Sequence, residues 1–155
     1  MEIYELKEKD GVAEDVKVNR IYLQFKELLK ELRKKELPQK IVESINHAIE
    51  ELNSTERADN KLLKLLKRNQ AKILELLDKE LKIVEKGHYK GLWLVLGMSA
   101  FGIPIGIVLG LTILGDVSYF PVGFPFGIII GIAIGHKMDK KALKEGRQLA
   151  VEIKY

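Results

Sequence analysis

The side chains that could do chemistry in the second half of this sequence are few and widely spaced. His88 and His136 flank a long apolar region, and Asp116 is the only formally charged residue from Gly91 to Gly135. Two histidines can sense pH or bind a metal, but without a nearby carboxylate we interpret both as interfacial polar residues. A ring of Asp116 carboxylates at the mouth of an oligomer would favour cations, whereas an exposed loop aspartate is the simpler interpretation.

The sequence lacks the patterns of an enzyme or a metal site. It contains no GxxxxGK, HExxH or GxSxG motif and no cysteine, so phosphate loops, disulfides and thiolate ligands are excluded. Carboxylates in the first 90 residues have lysines three or four positions away, which is typical of solvated helix surfaces. The net charge of +4 is small and the signs alternate, which argues against nucleic-acid binding. We expect no catalytic residue, no cofactor and no metal.

Two uncharged runs predict a transmembrane helical hairpin. The first, Gly91–Leu114, would form a helix of roughly 36 Å, enough for a hydrocarbon core of ~30 Å. The second, 119–135, is shorter and spans if the bilayer thins or the helix runs on toward Met138, which gives a predicted span at about 119–137. Lysines precede the first run and follow the second, with none between them. The positive-inside rule then places both termini in the cytoplasm and Asp116 outside.

Both runs carry small residues at four-residue steps. Such steps let helix backbones approach closely in lipid, where no hydrophobic incentive brings helices together. The two stripes can pack on each other within one chain, or one stripe can face a second chain. We favour the second alternative, which predicts a homo-oligomer. The candidate helix-packing residues are Ser99, Gly102, Gly106, Gly110, Gly123, Gly127, Gly131 and Gly135.

The charged part before the hairpin predicts a cytoplasmic helical domain at 13–88, after a terminal segment at 1–12 that could form a short strand. Apolar residues recur with helical period before and after Pro38, which predicts an antiparallel pair of helices. In a third helix they recur nearer every eleven residues. We favour packing of this helix on the first two over an intermolecular bundle. The three predicted apolar faces are Val18, Ile21, Tyr22, Phe25, Leu28, Leu29 and Leu32; Ile41, Val42, Ile45, Ala48, Ile49 and Leu52; and Leu62, Leu66, Ile73, Leu77, Leu81 and Val84.

The hairpin, at 89–138, is followed by a predicted basic tail at 139–155. Its lysines form a short helix suited to the anionic headgroups of the inner leaflet. Further on, Leu149, Val151, Ile153 and Tyr155 alternate with polar residues, as in a strand. The candidate headgroup-binding residues are Lys137, Lys140, Lys141, Lys144 and Arg147.

The two glycine stripes and the run GIAIGHKMDKKALKEGRQL resemble a group of small bacterial glycine-zipper membrane proteins with two spans. The resemblance covers roughly Leu37 to Tyr155 and is most specific from Gly102 onward. It implies a location in the bacterial inner membrane. It implies no activity and no functional residue.

The predicted fold is an all-α membrane protein, a cytoplasmic helical bundle or hairpin followed by a glycine-zippered transmembrane hairpin. We expect a non-enzymatic protein that self-assembles, with a small pore as one outcome and the lipid bilayer as its environment. The alternative is a membrane-anchored adaptor whose helical domain binds a partner protein or anionic lipid.

Overall fold

The computed structural model describes residues 2–9, 11–55 and 60–154, and within them the chain forms two compact units. One comprises Met1–Glu85 with Leu149–Tyr155 and is called the helical unit here; the other, Lys86–Gln148, is called the apolar hairpin. All regular elements of the described residues are helices. The prediction of an all-helical chain with two long apolar helices is therefore confirmed.

The helical unit contains α1 (Val16–Arg33), α2 (Gln39–Asn53) and α3 (Asn60–Leu81). Asp15 caps α1, because its carboxylate accepts hydrogen bonds from the backbone N–H groups of the first turn. Pro38 immediately precedes α2, as predicted.

The three helices share one apolar core. The faces predicted for α1 and α2 are buried in full, and α3 contributes four leucine and isoleucine side chains to the same cluster. Packing of the third helix on the first two is thus confirmed. Of the other two residues assigned to that face, Leu81 is half-buried and Val84 is buried just beyond the helix. Three polar side chains that the apolar pattern did not include are also buried: Asn46, Asn69 and Gln70.

Residues 2–9 are extended but form no strand, which corrects the expectation for the terminal segment; Met1 and Asp10 lie outside the described residues. Two asparagines of α2 take the place of a partner strand. Asn46 accepts from Tyr4 N–H (2.8 Å) and donates to the Glu2 carbonyl (2.9 Å). In the same way, Asn53 accepts from Lys7 N–H (2.9 Å) and donates to the Glu5 carbonyl (3.1 Å).

The same segment contacts α1 from its other edge. The Tyr22 hydroxyl donates to the Lys7 carbonyl (2.6 Å), and the Arg33 guanidinium donates to the Tyr4 carbonyl (2.7 Å). Leu6 is buried in the common core. The amino-terminal segment therefore lies in the groove between α1 and α2.

The carboxyl-terminal residues return to this unit, although a basic tail was predicted. Leu149 and Val151 are buried in its core, because the alternation seen in the sequence points them inward. The backbone N–H groups of Ala150 and Lys154 donate to Glu31 (3.4 Å) and Gln24 (3.0 Å) of α1. Tyr155, which continued the predicted alternation, lies outside the described residues.

α3 does not continue into the apolar hairpin. Lys82, with φ 55°, and Gly87, with φ 81°, turn the chain twice before the next helix begins at His88. A left-handed φ cannot continue an α-helix, and it is costly for a residue other than glycine. α3 and the first helix of the apolar hairpin are therefore separate helices.

The apolar hairpin consists of two helical stretches, His88–Leu114 and Val117–Lys144, called here the first and second apolar helices. The first contains α4 (His88–Gly97), a π-helical turn (Met98–Gly102), α5 (Ile103–Leu109) and a second π-helical turn (Gly110–Leu114). The second begins with a 3₁₀ helix (Val117–Gly123) and continues as α6 (Phe124–Lys144).

α6 passes the predicted end of the span at 137 without a break. The lysines assigned to a separate basic tail are thus on its last turns. The chain turns only at Gly146, where φ is 68°. The predicted tail at 139–155 is therefore divided, its first part belonging to the apolar hairpin and its last part to the helical unit.

Candidate functional site: the glycine-lined hairpin

Glycines form the interface between the two apolar helices. A Cβ placed on Gly97 would lie 2.6 Å from the Cα of Gly131, and one on Gly127 would lie 2.6 Å from the backbone N of Gly102. Real Cβ contacts are never so short, so any side chain at these positions would push the two backbones apart. The stripes of the two apolar helices pack on each other within the chain.

The contact continues along both helices. A Cβ on Gly123 would overlap backbone atoms of Gly102 and Gly106, one on Gly135 would lie 2.6 Å from Lys90 Cα, and one on Gly131 would overlap the Trp93 carbonyl. All these neighbours are backbone atoms, which cannot rotate away as side-chain ends do. The close approach of the two backbones explains why glycine occupies these positions, although other residues form helices more readily.

Gly97 belongs to this interface, and Ser99, which was predicted to extend the stripe, is exposed. Gly97 lies five residues before Gly102, and the π-helical turn Met98–Gly102 brings this five-residue step onto one face. The Ser99 hydroxyl instead donates to carbonyls of its own helix, those of Val95 and Leu96, both at 3.1 Å. A prediction based on a regular α-helix did not include the wider turn.

The outer surface of the hairpin is apolar. Over the 18 most apolar consecutive residues of each helix, only 22% is buried in the first apolar helix and 17% in the second. Ile113 is 72% exposed and Ile129 is 65% exposed. In the core helix of a water-soluble protein such side chains face inward; here glycines occupy the interior and large apolar side chains the exterior. Both helices are long and apolar enough to cross a membrane.

Asp139 closes the end of the hairpin where the chain enters and leaves. It lies in α6 among lysines, yet it is buried. One oxygen accepts from Tyr89 N–H (3.1 Å) and the other from Lys90 N–H (3.0 Å), both in the first turn of α4. Gly87, at the cap position of α4, has no side chain to satisfy these donors. Helical periodicity does not predict this role for Asp139, and the signal for it in the sequence is a lone carboxylate within a run of lysines.

Asp116 lies in the connection at the other end and is exposed. Its carboxylate caps the 3₁₀ helix by accepting from Ser118 N–H at 2.7 Å. This backbone hydrogen bond, with help from the Ser118 hydroxyl, lowers the pKa of Asp116 below its usual value. Asp116, a candidate for a pore mouth, thus lies in an exposed turn, which agrees with the simpler interpretation of the sequence.

Four of the five candidate headgroup residues are exposed lysines, and Arg147 is half-buried. Lys141 forms an ion pair with Glu145 at 3.9 Å, and Arg147 forms one with the same carboxylate. The remaining lysines, for which no ion pair is found within the described part of the chain, are Lys137, Lys140 and Lys144. These three are the best placed to meet an anionic surface.

The described residues contain no group of three histidine, aspartate or glutamate side chains placed to hold a metal ion. In the helical unit, the hollow between residues 2–5 and the end of α1 measures about 790 Å³ and is partly walled by the amino-terminal segment.

Comparisons with protein-family models, with curated proteins and with solved structures found no match to this chain.

Proposed function

We propose that this protein is a membrane-anchored adaptor, in which the apolar hairpin crosses the bilayer and the helical unit recruits a partner at the membrane surface. The observation that carries the proposal is the distribution of side chains in the hairpin, with glycines between the helices and large apolar side chains outside. Burying apolar surface gains about 25 cal/mol per Å². A hairpin so arranged gains this energy by entering lipid.

The backbone of the hairpin also suits a bilayer. Spanning segments must satisfy their polar backbone groups internally, and the two apolar helices do so along most of their length. Asp139 satisfies two donors that α4 leaves open. Lipid provides no hydrophobic force between helices, so close contact between glycine backbones is the expected means of association. The glycine zipper is part of this proposal.

The distribution of lysines supports an orientation with both termini in the cytoplasm. Lys86 and Lys90 flank the start of the first apolar helix, four exposed lysines lie on the last turns of the second, and the charged residue of the connection is Asp116. The resemblance to bacterial glycine-zipper proteins supports the inner membrane as the location. The exposed lysines would then meet anionic headgroups.

The geometry favours the adaptor over the self-assembled pore. The glycine stripes that led us to expect a homo-oligomer face each other within the hairpin, so assembly would need another surface. The Asp116 carboxylate holds a turn. Self-assembly stays a prediction that a mass measurement tests. The adaptor predicts the mass of one chain, 17.6 kDa, in mild detergent at all protein concentrations.

Cysteine accessibility tests the anchor and its orientation, since the chain has no cysteine of its own. Ser118→Cys places a thiol in the connection, and Ser44→Cys places a matched exposed thiol in α2. In spheroplasts, a membrane-impermeant maleimide should label the first variant only, and lysis should expose the second. Carbonate at high pH should leave the protein in the membrane. Extraction by carbonate, or equal labelling before lysis, would overturn the proposal.

A further inference from the structure

The helical unit has a groove between each pair of its helices, and terminal segments of the chain lie in two of them, the first of which keeps a hollow of about 790 Å³ beside residues 2–5. The amino-terminal segment lies between α1 and α2. The carboxyl-terminal segment lies on the α3 side of α1, since Gln24 contacts Lys154 N–H with its oxygen and Gln70 of α3 with its nitrogen (3.3 Å). Both segments lie outside the helices, and each buries apolar side chains in the core.

The two terminal segments are held by a similar arrangement of side chains. Polar side chains seven residues apart on one helix, Asn46 with Asn53 and Gln24 with Glu31, bind the backbone of the segment. Seven helical residues rise roughly 10 Å, which spans the three residues from Tyr4 to Lys7 in one segment and the four from Ala150 to Lys154 in the other. The clamps recognise backbone groups, so they require an extended conformation rather than a particular sequence.

The third groove, between α2 and α3, is open. It has a volume of about 640 Å³, and all its walls come from these two helices. Its floor is apolar, formed by Ala48, Ile73 and Leu76. Ser44 and Glu51 lie along it with the same seven-residue spacing as the two clamps. From Lys40 to Glu51 the groove is roughly 16 Å long, room for about five extended residues.

The groove is lined by three cationic side chains, Lys40, Arg68 and Lys72, and by two carboxylates, Glu43 and Glu51, and this excess of positive charge favours an acidic occupant. Glu51 is already paired with Arg68 and accepts a hydrogen bond from Asn69 (3.0 Å). Lys40 and Lys72 stand on opposite rims, are exposed, and form no ion pair with any residue in the described ranges. The floor therefore suits apolar side chains, and the rims suit carboxylates.

We propose that the α2–α3 groove binds an extended peptide segment of a partner protein, with apolar side chains at alternate positions and carboxylates between them. The segment lies along α2 as the two terminal segments lie along their helices. This inference rests on the proposed adaptor function and names the class of partner that the adaptor recruits.

Fluorescence anisotropy with a labelled peptide tests the proposal on the full chain in detergent. The probe is a six-residue peptide of alternating glutamate and valine, and the comparison peptide replaces each glutamate by lysine. We expect saturable binding of the acidic peptide alone, weakened by added salt. The variant Lys40→Glu with Lys72→Glu should bind about tenfold more weakly, the effect of inverting two partly exposed pairs. Ser44→Trp should block the groove without any change of charge.

The matched control is Lys30→Glu with Lys64→Glu, which makes the same charge change on exposed lysines that do not line the groove. It should bind within twofold of the native chain, and circular dichroism should show that all variants are folded. Equal binding of both peptides, or no loss in Ser44→Trp, would overturn the proposal. A concentration-dependent dimer abolished by Ser44→Trp would also overturn it, by showing a second copy in the groove. Cysteine labelling is independent of these results, so failure of the anchor and failure of the groove are distinguishable.

Discussion

The Asp139 carboxylate accepts a hydrogen bond from the backbone N–H of Tyr89, 50 positions earlier in the chain, at 3.1 Å. A residue near the end of the second apolar helix thus caps the beginning of the first. Its other oxygen binds the next N–H, that of Lys90. Because the cap comes from the opposite helix, it also fixes how the two helices are aligned along their length.

Asp139→Ala should destabilise the hairpin, because two backbone donors lose their acceptor. Loss of an N-cap costs about 0.5–2 kcal/mol, and loss of a charged acceptor lies at the upper end. Asp139→Asn keeps one acceptor oxygen and should cost less. Trp93, the single tryptophan, lies one turn beyond Tyr89, so its fluorescence during denaturation in SDS reports on this region. Lys140→Ala is the control; equal stability of it and Asp139→Ala would refute the capping role.

Two glycines of the hairpin should respond oppositely to alanine. At Gly131 a Cβ overlaps the Trp93 carbonyl, whereas at Gly91 nothing lies within 4 Å. Gly131→Ala should separate the helices, shift the Trp93 emission and lower the unfolding midpoint in SDS. Gly91→Ala should leave emission unchanged and stabilise α4 by about 0.5–1 kcal/mol through helix propensity. Similar behaviour of the two variants would contradict the backbone contact.

Periodicity was sufficient to predict the helices and most of the core. The α1 face from Val18 to Leu32 is buried as its spacing predicts, because one face of an α-helix must meet the core whatever its neighbours are. The glycine positions of the second apolar helix also follow from the sequence. The sequence does not show which helix contacts these glycines, because a stripe of small residues can pack equally well on a helix of the same chain or of another chain.

The remaining features depend on tertiary structure. Gly97 enters the interface through a π-helical turn, and a regular period of 3.6 residues predicts Ser99 there instead. Asp139 is buried because a helix start lies opposite it. The amides of Asn46 and Asn53 are used because extended segments without a partner strand need hydrogen bonds. In each case, a contact with a distant part of the chain determines the role of the residue, and local sequence does not encode that contact.

The asparagine clamp of α2 should control the amino-terminal segment. In the double variant Asn46→Ala with Asn53→Ala, the N–H groups of Tyr4 and Lys7 lose their acceptors. Each lost hydrogen bond should cost about 1 kcal/mol, so these amides should exchange with deuterium at least tenfold faster. Ser44→Ala, on the opposite flank of α2, should leave their exchange unchanged. Unchanged exchange in the double variant would show that burial of Leu6 and the hydrogen bonds from Tyr22 and Arg33 hold the segment without the asparagines.

Glu51 should make the stability of the helical unit depend on pH. Its pKa is lowered from 4.5, first by the hydrogen bond from Asn69 and then by that from Arg68, both in α3. A carboxylate whose pKa is lower in the folded state is protonated more readily in the unfolded chain. Its contribution is therefore present above pH 4.5 and is lost as the pH falls towards the folded pKa.

Glu51→Gln should remove this part of the pH dependence. Because the Glu51 side chain retains 37% exposure, solvent screening should keep the effect below about 1 kcal/mol. Urea unfolding at pH 6 and pH 3.5, followed by far-ultraviolet circular dichroism, measures the loss for each protein, and Trp93 fluorescence follows the hairpin separately. The neighbouring Glu50→Gln should lose as much stability on acidification as the native chain. If Glu51→Gln loses as much stability on acidification as the native chain, the contact between α2 and α3 does not depend on the charge of Glu51.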